Sequence, residues 1–481
     1  VLWDLGGPWP GRRAADGGPG FLVIEADADD PARAAYAALR HRAFVDRQGL
    51  FAATDHDEVD EDPRTVVLVA QTATGEVVGG VRLAPVGEDG DRLGWWAGSR
   101  LVAAPGAPPR TGAALVRAAC ARAEAEGALR FDALVQADKE RFFARLGWRP
   151  AGSAGRVDHR GAPHVRMRWP VASLAAPALA KRTIGAVLGN LRPGGPGFVG
   201  DDGAPVPGSD LVAATDAVLP SMVERDPWWA GWCSVLVNAN DLAAMGAAPV
   251  GLLDALAAPT RSLAQRVMGG LVEAARRYGV PVLGGHTQVG VPAALSVTML
   301  GRTAAPVPGG GGRPGDPVSV VADLAGRWRA GYGGRQWDST TARPADELRR
   351  LGTTLQRARP GAAKDVSMAG LVGTLAMLAE ASGCGAELDV ATVPRPAEAG
   401  LADWLTCFPG FALVLAGAAP TAAEAAPATV ARCGRLVAGG GVALRWPDGE
   451  LTAVVDGPVV GLGPATDTNT DTEPSDLEVG P

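Results

Sequence analysis

NANDLAAMGAAP, running from Asn238 to Pro249, is the stretch on which the reading of this chain turns. It closes an apolar run, WAGWCSVLV from Trp229 to Val237, and together they predict one helix to about Gly246 with Asp241 inside it. Working outward, further acidic residues stand in loops and at strand ends. Upstream, FVGDDGAPV sets Asp201 beside Asp202, directly after the glycine-rich GNLRPGGPG of Gly189 to Gly197. DLVAATDAVL reads as a strand with Asp216 near its end. Downstream, PVL reads as a strand followed by Gly284, Gly285, His286 and Thr287, and AAKDVSMAGLVG places Asp365 ahead of a glycine-containing helix start. Taken singly, Asp241 is as readily a helix cap, Asp216 a turn residue and His286 a loop histidine. Taken in order, carboxylates on separate loops suit magnesium–phosphate chemistry: Mg²⁺ wants oxygen ligands, keeps several waters and bridges to phosphate oxygens. The run Gly189 to Gly200 would then be a mobile cover over phosphates, or simply a linker.

Composition narrows the class. The chain has 481 residues, enough for about three structural units, and 47% hydrophobic against 20% charged residues gives it a large core. A formal net charge of −7 argues against nucleic acid as a partner. No apolar run is long enough to span a membrane. The opening VLWDLGGPWPGRR lacks the basic-then-apolar order of a signal peptide. Five scattered cysteines without CxxC spacing fit neither a disulfide framework nor a zinc site, and the expectation is a cytoplasmic protein. Lys139, Lys181 and Lys364 are the only lysines, and Ala, Gly and Arg are abundant throughout. A lone glycine is therefore weak evidence here, and only ordered clusters count.

Three seams divide the chain: an Ala/Pro linker at 171–182, a Gly/Pro seam at 305–317 and an acidic tail, read as disordered, at 461–481. Between them lie units at 1–170, 183–304 and 318–460. In the first, GFLVIEA and TVVLVAQ read as strands and VVGGVRLAP as a hairpin partner. The helix from Pro31 shows Ala35, Leu39, Ala43 and Phe44 at helical spacing. A strand (SRLVAAP), a helix from Gly112, a strand (LRFDALVQ) and a short helix ending in RLGW follow.

That order, with HRAFVDRQGLF, VGGVRL and FFARLGW, resembles the GNAT (GCN5-related) N-acetyltransferase family over about residues 20–170. The resemblance implies acetyl-CoA as cofactor. A helix start at Gly112 and Ala113 leaves free backbone N–H groups for a pyrophosphate, with Arg110 placed for a phosphate oxygen. The phosphate loop departs from the family's pattern, since APPRTG carries Pro108 and Pro109, and Phe143 stands at the usual tyrosine. Glu88 and Asp91 are the base candidates, or merely solvated carboxylates.

GDDGA, ATD, NANDLAAMGAAP, GGHT and KDVSMAGLVG together resemble the AIR synthetase-related, PurM-like ATP-binding superfamily over about 181–460. The fold class expected is thus α+β multidomain: a GNAT-like acyl-CoA fold followed by a two-part PurM-like α/β fold. The resemblance implies a homodimer binding Mg²⁺ and ATP. Asp201, Asp202, Asp216 and Asp241 would hold the metal, and Gly200, Asp202, Gly284 and Gly285 the nucleotide. His286 and Asp365 would stand nearer the acceptor as catalytic residues. No cysteine stands where the superfamily's selenophosphate enzymes and cysteine-ended dehydratases need one. The fusion resembles an uncharacterised family of nitrilase-linked nitrogen-starvation clusters. The expectation is a bifunctional enzyme that phosphorylates a small nitrogenous metabolite and acylates an amine. The alternatives are a nucleotide- or CoA-binding regulator and a thiamine-monophosphate-kinase-like enzyme.

Overall fold

The computed structural model describes residues 20–152 and 156–465, in two compact units that divide between Val171 and Ala172. In the first unit, β1 (Phe21–Glu25), β2 (Val66–Thr72), β3 (Val77–Pro85), β4 (Trp95–Ala103), β5 (Arg130–Gln136), β6 (Arg149–Pro150), β7 (Arg156–His159) and β8 (Ala162–Trp169) form one sheet. The order is β1-β2-β3-β4-β5-β8-β6, with β7 beside β8. β4 and β5 are its parallel pair, and the Thr111–Ala125 helix makes the crossover that such a pair requires. Their register runs only from Trp95↔Arg130 to Gly98↔Ala133, so the remainder of β4 and of β5 part from each other. Arg100, in the left-handed region at φ +54, marks the irregular part of β4.

The Pro31–His41 helix starts as its sequence dictates, with Pro31 in the first turn and Asp30 Oδ1 accepting from Ala32 N at 2.8 Å. Its buried stripe is Ala32, Tyr36 and Leu39, continuing to Ala43 and Phe44; Ala35, expected there, is exposed. The reason lies across the interface. Gly80 offers no side chain where a Cβ would come within 2.5 Å of the Tyr36 ring, and the Tyr36 hydroxyl donates to Arg100 O at 2.7 Å.

The second unit holds two sheets. β9 (Ala204–Pro205), β10 (Leu211–Val218), β11 (Ala248–Ala258), β12 (Val282–Val289) and β13 (Ala294–Arg302) take the order β12-β11-β13-β10-β9. β14 (Pro317–Ala322) belongs to the other sheet, and β15 (Arg327–Trp328) with β16 (Trp337–Asp338) makes a separate ribbon. β17 (Ala362–Asp365), β18 (Gly385–Asp389), β19 (Ala412–Ala416), β20 (Thr429–Val437), β21 (Val442–Arg445) and β22 (Leu451–Val455) complete a seven-stranded sheet, ordered β17-β19-β14-β20-β18-β21-β22.

Between the sheets runs the Pro227–Ala244 helix, buried at every residue except Trp228 and Val237. A helix buried nearly all round has no face for water, and here it touches β10, β11 and β13 as well as β17 and β19. Its contact with the Arg261–Tyr278 helix is unusually close: a Cβ on Gly270 would lie 1.8 Å from Trp228 O, and one on Gly231 1.9 Å from Val267 O.

The seams are packed where they are described. Leu174 and Ala178 of the 171–182 segment are buried, and Ala178 lies against Gly373. Gly309, Gly310 and Gly312 are also buried, because a backbone without side chains fits where a Cβ at Gly310 would meet Ala381 O at 2.4 Å. Of the expected disordered tail, residues 461–465 form part of a strap: Glu380 accepts from the backbone N–H groups of Val459, Val460, Gly461, Leu462 and Gly463 at 2.6–3.3 Å. Residues 466–481 lie outside the described residues. No helix among the described residues is long and apolar enough to cross a membrane.

Candidate functional site

Asp202 lies in the loop before β9, Asp241 near the end of the Pro227–Ala244 helix, and Asp365 at the end of β17. The fold brings these three together: one carboxylate oxygen of each lies within 4.8 Å of the others. Each arrives by a different local cause. The NAND motif is anchored through Asn238 Nδ2, which donates to Ser234 O at 2.9 Å, and through Asn240 Nδ2, which donates to Gly410 O at 2.7 Å. Asp365 N donates to Asp202 Oδ2 at 2.8 Å, fixing the loop carboxylate to the strand end.

Carboxylates outnumber cations around them, Lys364 and Lys181 being the positive charges that act on Asp365. Burial first, then Asp365, Asp216 and Asp202, pushes the Asp241 carboxyl well above the usual range. Burial, then Asp202 and Asp216, does the same to Asp365. Asp216 is raised by burial, with the Lys181 charge opposing. Asp365 Oδ2 is buried with no hydrogen-bond partner among the described residues. A buried carboxylate with one orphaned oxygen, beside two more carboxylates, fits an oxygen-seeking divalent cation such as Mg²⁺.

Asp201 lies beside this triad but is otherwise engaged. Its Oδ2 accepts from Gly309 N, and its Oδ1 accepts from Asp202 N at 2.9 Å and from Lys364 Nζ at 3.2 Å. Gly200 contributes its carbonyl, which accepts from Lys364 Nζ at 3.3 Å. Gly284, Gly285 and His286 lie on the edge strand β12, with His286 exposed and paired in register with Ala255. Among the described residues, no hydrogen bond or ion pair joins His286 to the carboxylates. Lys364, Lys181 and the Gly309 N–H were missed by sequence reasoning. The scarcity of lysine was the available signal, since two of the three lie at this cluster.

The first unit has its own cavity, about 750 Å³, opening where β4 and β5 part. Gly112 and Phe143 line it, whereas Arg110 and Ala113 do not. Arg110 is exposed in the left-handed region at φ +72. A Cβ on Gly112 would meet only the Phe142 ring at 3.7 Å, so the protein itself does not demand glycine there. Glu88 and Asp91 lie outside the cavity, and Asp91 pairs with Arg64 at 3.1 Å. His159 and His164 line it instead, their rings 5.3 Å apart. His164 Nδ1 lies 2.9 Å from Ala162 O, which leaves Nε2 as the proton acceptor when Nδ1 carries the hydrogen. Burial first, then His164, Arg160 and Arg100, holds His159 below the usual imidazole range.

Comparison with known proteins places two family domains in the second unit. The AIR synthase related protein N-terminal domain matches residues 200–303, and the corresponding C-terminal domain matches 342–447. An uncharacterised protein of Synechocystis sp. is 37% identical over 227 residues, covering 45% of this chain and 69% of its own length. Thiamine-monophosphate kinase of Rhodopirellula baltica is 33% identical over 214 residues, covering 41% of this chain and 65% of its own length. The crystal structure of tt0281 from Thermus thermophilus shares 29% identity, covering 54% of this chain and 94% of that one, with a TM-score of 0.43.

Proposed function

The chain belongs to the AIR synthase related family through residues 200–303 and 342–447, and on that footing we propose that its second unit binds Mg-ATP and phosphorylates an oxygen of a small nitrogenous metabolite. The observation that carries this reading is the meeting of Asp202, Asp241 and Asp365, with Asp365 Oδ2 unpartnered among the described residues. These three would hold the ion. Magnesium, when bound, neutralises phosphate oxygens and eases charge development in the transfer. Lys181, close enough to act on Asp216 and Asp365, would offer its ammonium to a phosphate oxygen. Burial around Asp241 and Asp365 excludes water and strengthens each of these contacts. Calorimetry with ATP and Mg²⁺ tests the reading: wild type binds, and Asp202→Asn loses Mg²⁺-dependent binding. Equal binding by both would overturn the assignment.

Identity to the Rhodopirellula enzyme supports a narrower form, a thiamine-monophosphate-kinase-like reaction on a phosphate acceptor. A panel of phosphorylated and amide acceptors separates the two by which one stimulates ATP turnover.

For the first unit we propose acyl-CoA binding and N-acyl transfer, as its GNAT-like order implies. Support comes from the parting of β4 and β5, which leaves backbone amides along one wall of the cavity for an extended amide-bearing ligand such as pantetheine. His164 or His159 would take the proton that an acceptor ammonium loses. Phe143 and the two prolines Pro108 and Pro109 favour a second reading, CoA binding without transfer. Titrating acetyl-CoA into the full chain decides whether the cavity binds it, and the absence of heat at millimolar ligand would overturn both forms. A homodimer is proposed through β11 and the edge strand β12, where Val250, Leu253, Val282, Leu283 and Val289 are exposed apolar side chains.

A further inference from the structure

Lys364 is enclosed, its side chain only 4% exposed, in a chain that almost always uses arginine for positive charge. Its Nζ lies 2.9 Å from Asp202 Oδ1, 3.2 Å from Asp201 Oδ1 and 3.3 Å from Gly200 O. All three partners are oxygens, two of them from carboxylates, which is the donor set of a hard divalent cation. We propose that the Lys364 ammonium is a built-in substitute for such a cation: it fills an oxygen cage made by Gly200, Asp201 and Asp202. Asp201 then serves the lysine, and the metal falls to Asp202, Asp241 and Asp365 alone. This rests on the metal reading of that triad.

The hydrogen bonding sorts the carboxylates in this way. Asp201 has both oxygens engaged, on Gly309 N, Asp202 N and Lys364, and its side chain is 2% exposed. Gly309 belongs to the same cage, because a Cβ there would fall 2.3 Å from Asp201 Oδ1 and drive the loops apart. Asp202 divides its oxygens, Oδ1 to Lys364 and Oδ2 to Asp365 N, and so joins the cage to the triad. Asp365 Oδ2 is the buried triad oxygen left without a partner among the described residues. A tethered ammonium cannot dissociate, so it holds the Asp201–Asp202 loop in place before any ion or nucleotide arrives. A planar guanidinium does not fit a compact three-oxygen cage, which accounts for lysine in a chain dominated by arginine.

The test counts Mn²⁺ bound to the full chain, without nucleotide, by electron paramagnetic resonance and calorimetry. Wild type is expected to bind one ion at the triad, and Lys364→Ala two, the second in the vacated cage. Asp202→Asn is expected to lose at least about tenfold in affinity, and Asp201→Asn distinctly less. Lys364→Ala still binding one ion, or Asp201→Asn losing the ion as fully as Asp202→Asn, would overturn the assignment while leaving the triad standing. Wild type taking up no Mn²⁺ would overturn the triad and the lysine role together. Should Lys364→Ala fail to fold by circular dichroism, the comparison of Asp201→Asn with Asp202→Asn decides.

Discussion

Replacing Asp241 by asparagine should make the metal-free protein more stable while abolishing its response to Mg²⁺. Asp241 is 5% exposed, in a helix buried nearly all round, and Asp365, Asp216 and Asp202 oppose its charge with only Lys364 in its favour. Its folded carboxyl therefore holds a proton more tightly than the unfolded chain does. As pH rises past the ordinary carboxylate value, the unfolded chain releases that proton first, so metal-free stability falls until pH passes the raised folded value. Each unit of upward shift costs about 1.4 kcal/mol above that window. Asparagine keeps the shape and has no charge to desolvate. In EDTA at neutral pH the variant should melt above wild type, by about 2–4 °C for each kcal/mol recovered. Mg²⁺ at a hundred times its dissociation constant should stabilise wild type by about 2.7 kcal/mol and leave Asp241→Asn unmoved, so the order of the two melting temperatures narrows or reverses. Differential scanning calorimetry of both proteins, with EDTA and with saturating Mg²⁺, reads all four values. A variant that melts below wild type in EDTA, or rises with Mg²⁺ as wild type does, would refute the reasoning.

Three further outcomes follow from the packing. Gly270→Ala forces a Cβ to within 1.8 Å of Trp228 O and should cost about 1–3 kcal/mol or more; an unchanged calorimetric melting temperature would show that the two helices part freely. Arg40→Leu removes the buried Arg40 contacts to Asp55 and Asp60 at 2.7 and 2.6 Å, leaving Asp55 to Arg100 and Asp60 to Arg82, and should destabilise the first unit by about 1.5–3 kcal/mol, read by urea unfolding. Burial raises the Asp60 carboxyl, but Arg40 and Arg82 outweigh it and hold the group well below its ordinary value. That stabilisation is complete above the ordinary carboxylate pKa and is lost as pH falls toward the lowered one, so wild type should lose stability below about pH 4 and Arg40→Leu, which keeps the Arg82 contact to Asp60, should lose less there. Leu283→Glu places a charge on the apolar edge strand β12 and should turn a dimer into a monomer by light scattering; an unchanged mass would remove that strand from the interface.

The ordered acidic motifs were legible because each sits beside a strong local signal. NANDLAAMGAAP ends an apolar helix, and GDDGA follows a glycine run, so the element type and the acidic position were read together. Helical periodicity failed by one residue at Ala35, because a phase drawn from apolarity alone cannot see that Gly80 leaves room for the Tyr36 ring. The Gly/Pro seam at 305–317 and the 171–182 segment read as linkers, since composition reports what a backbone tolerates and not what packs against it. His159 and His164 carried no motif, and they became candidates only when the β7–β8 hairpin brought them to the cavity.

What the sequence determined by itself is the family of the second unit, its run of helices and strands, and the set of carboxylates from which any metal site must be drawn. The elements follow from periodicity and the carboxylates from residue types at their positions, whereas the family came from the resemblance of the ordered acidic motifs. Which carboxylates meet was decided by tertiary structure alone. Asp202, Asp241 and Asp365 lie far apart in the chain, and the Pro227–Ala244 helix, held between two sheets, sets one of them against the other two. The same packing gave Asp201 to Lys364 and put His286 on an outer edge, because a side chain's charge and reach are local properties whereas its partners are chosen by the fold.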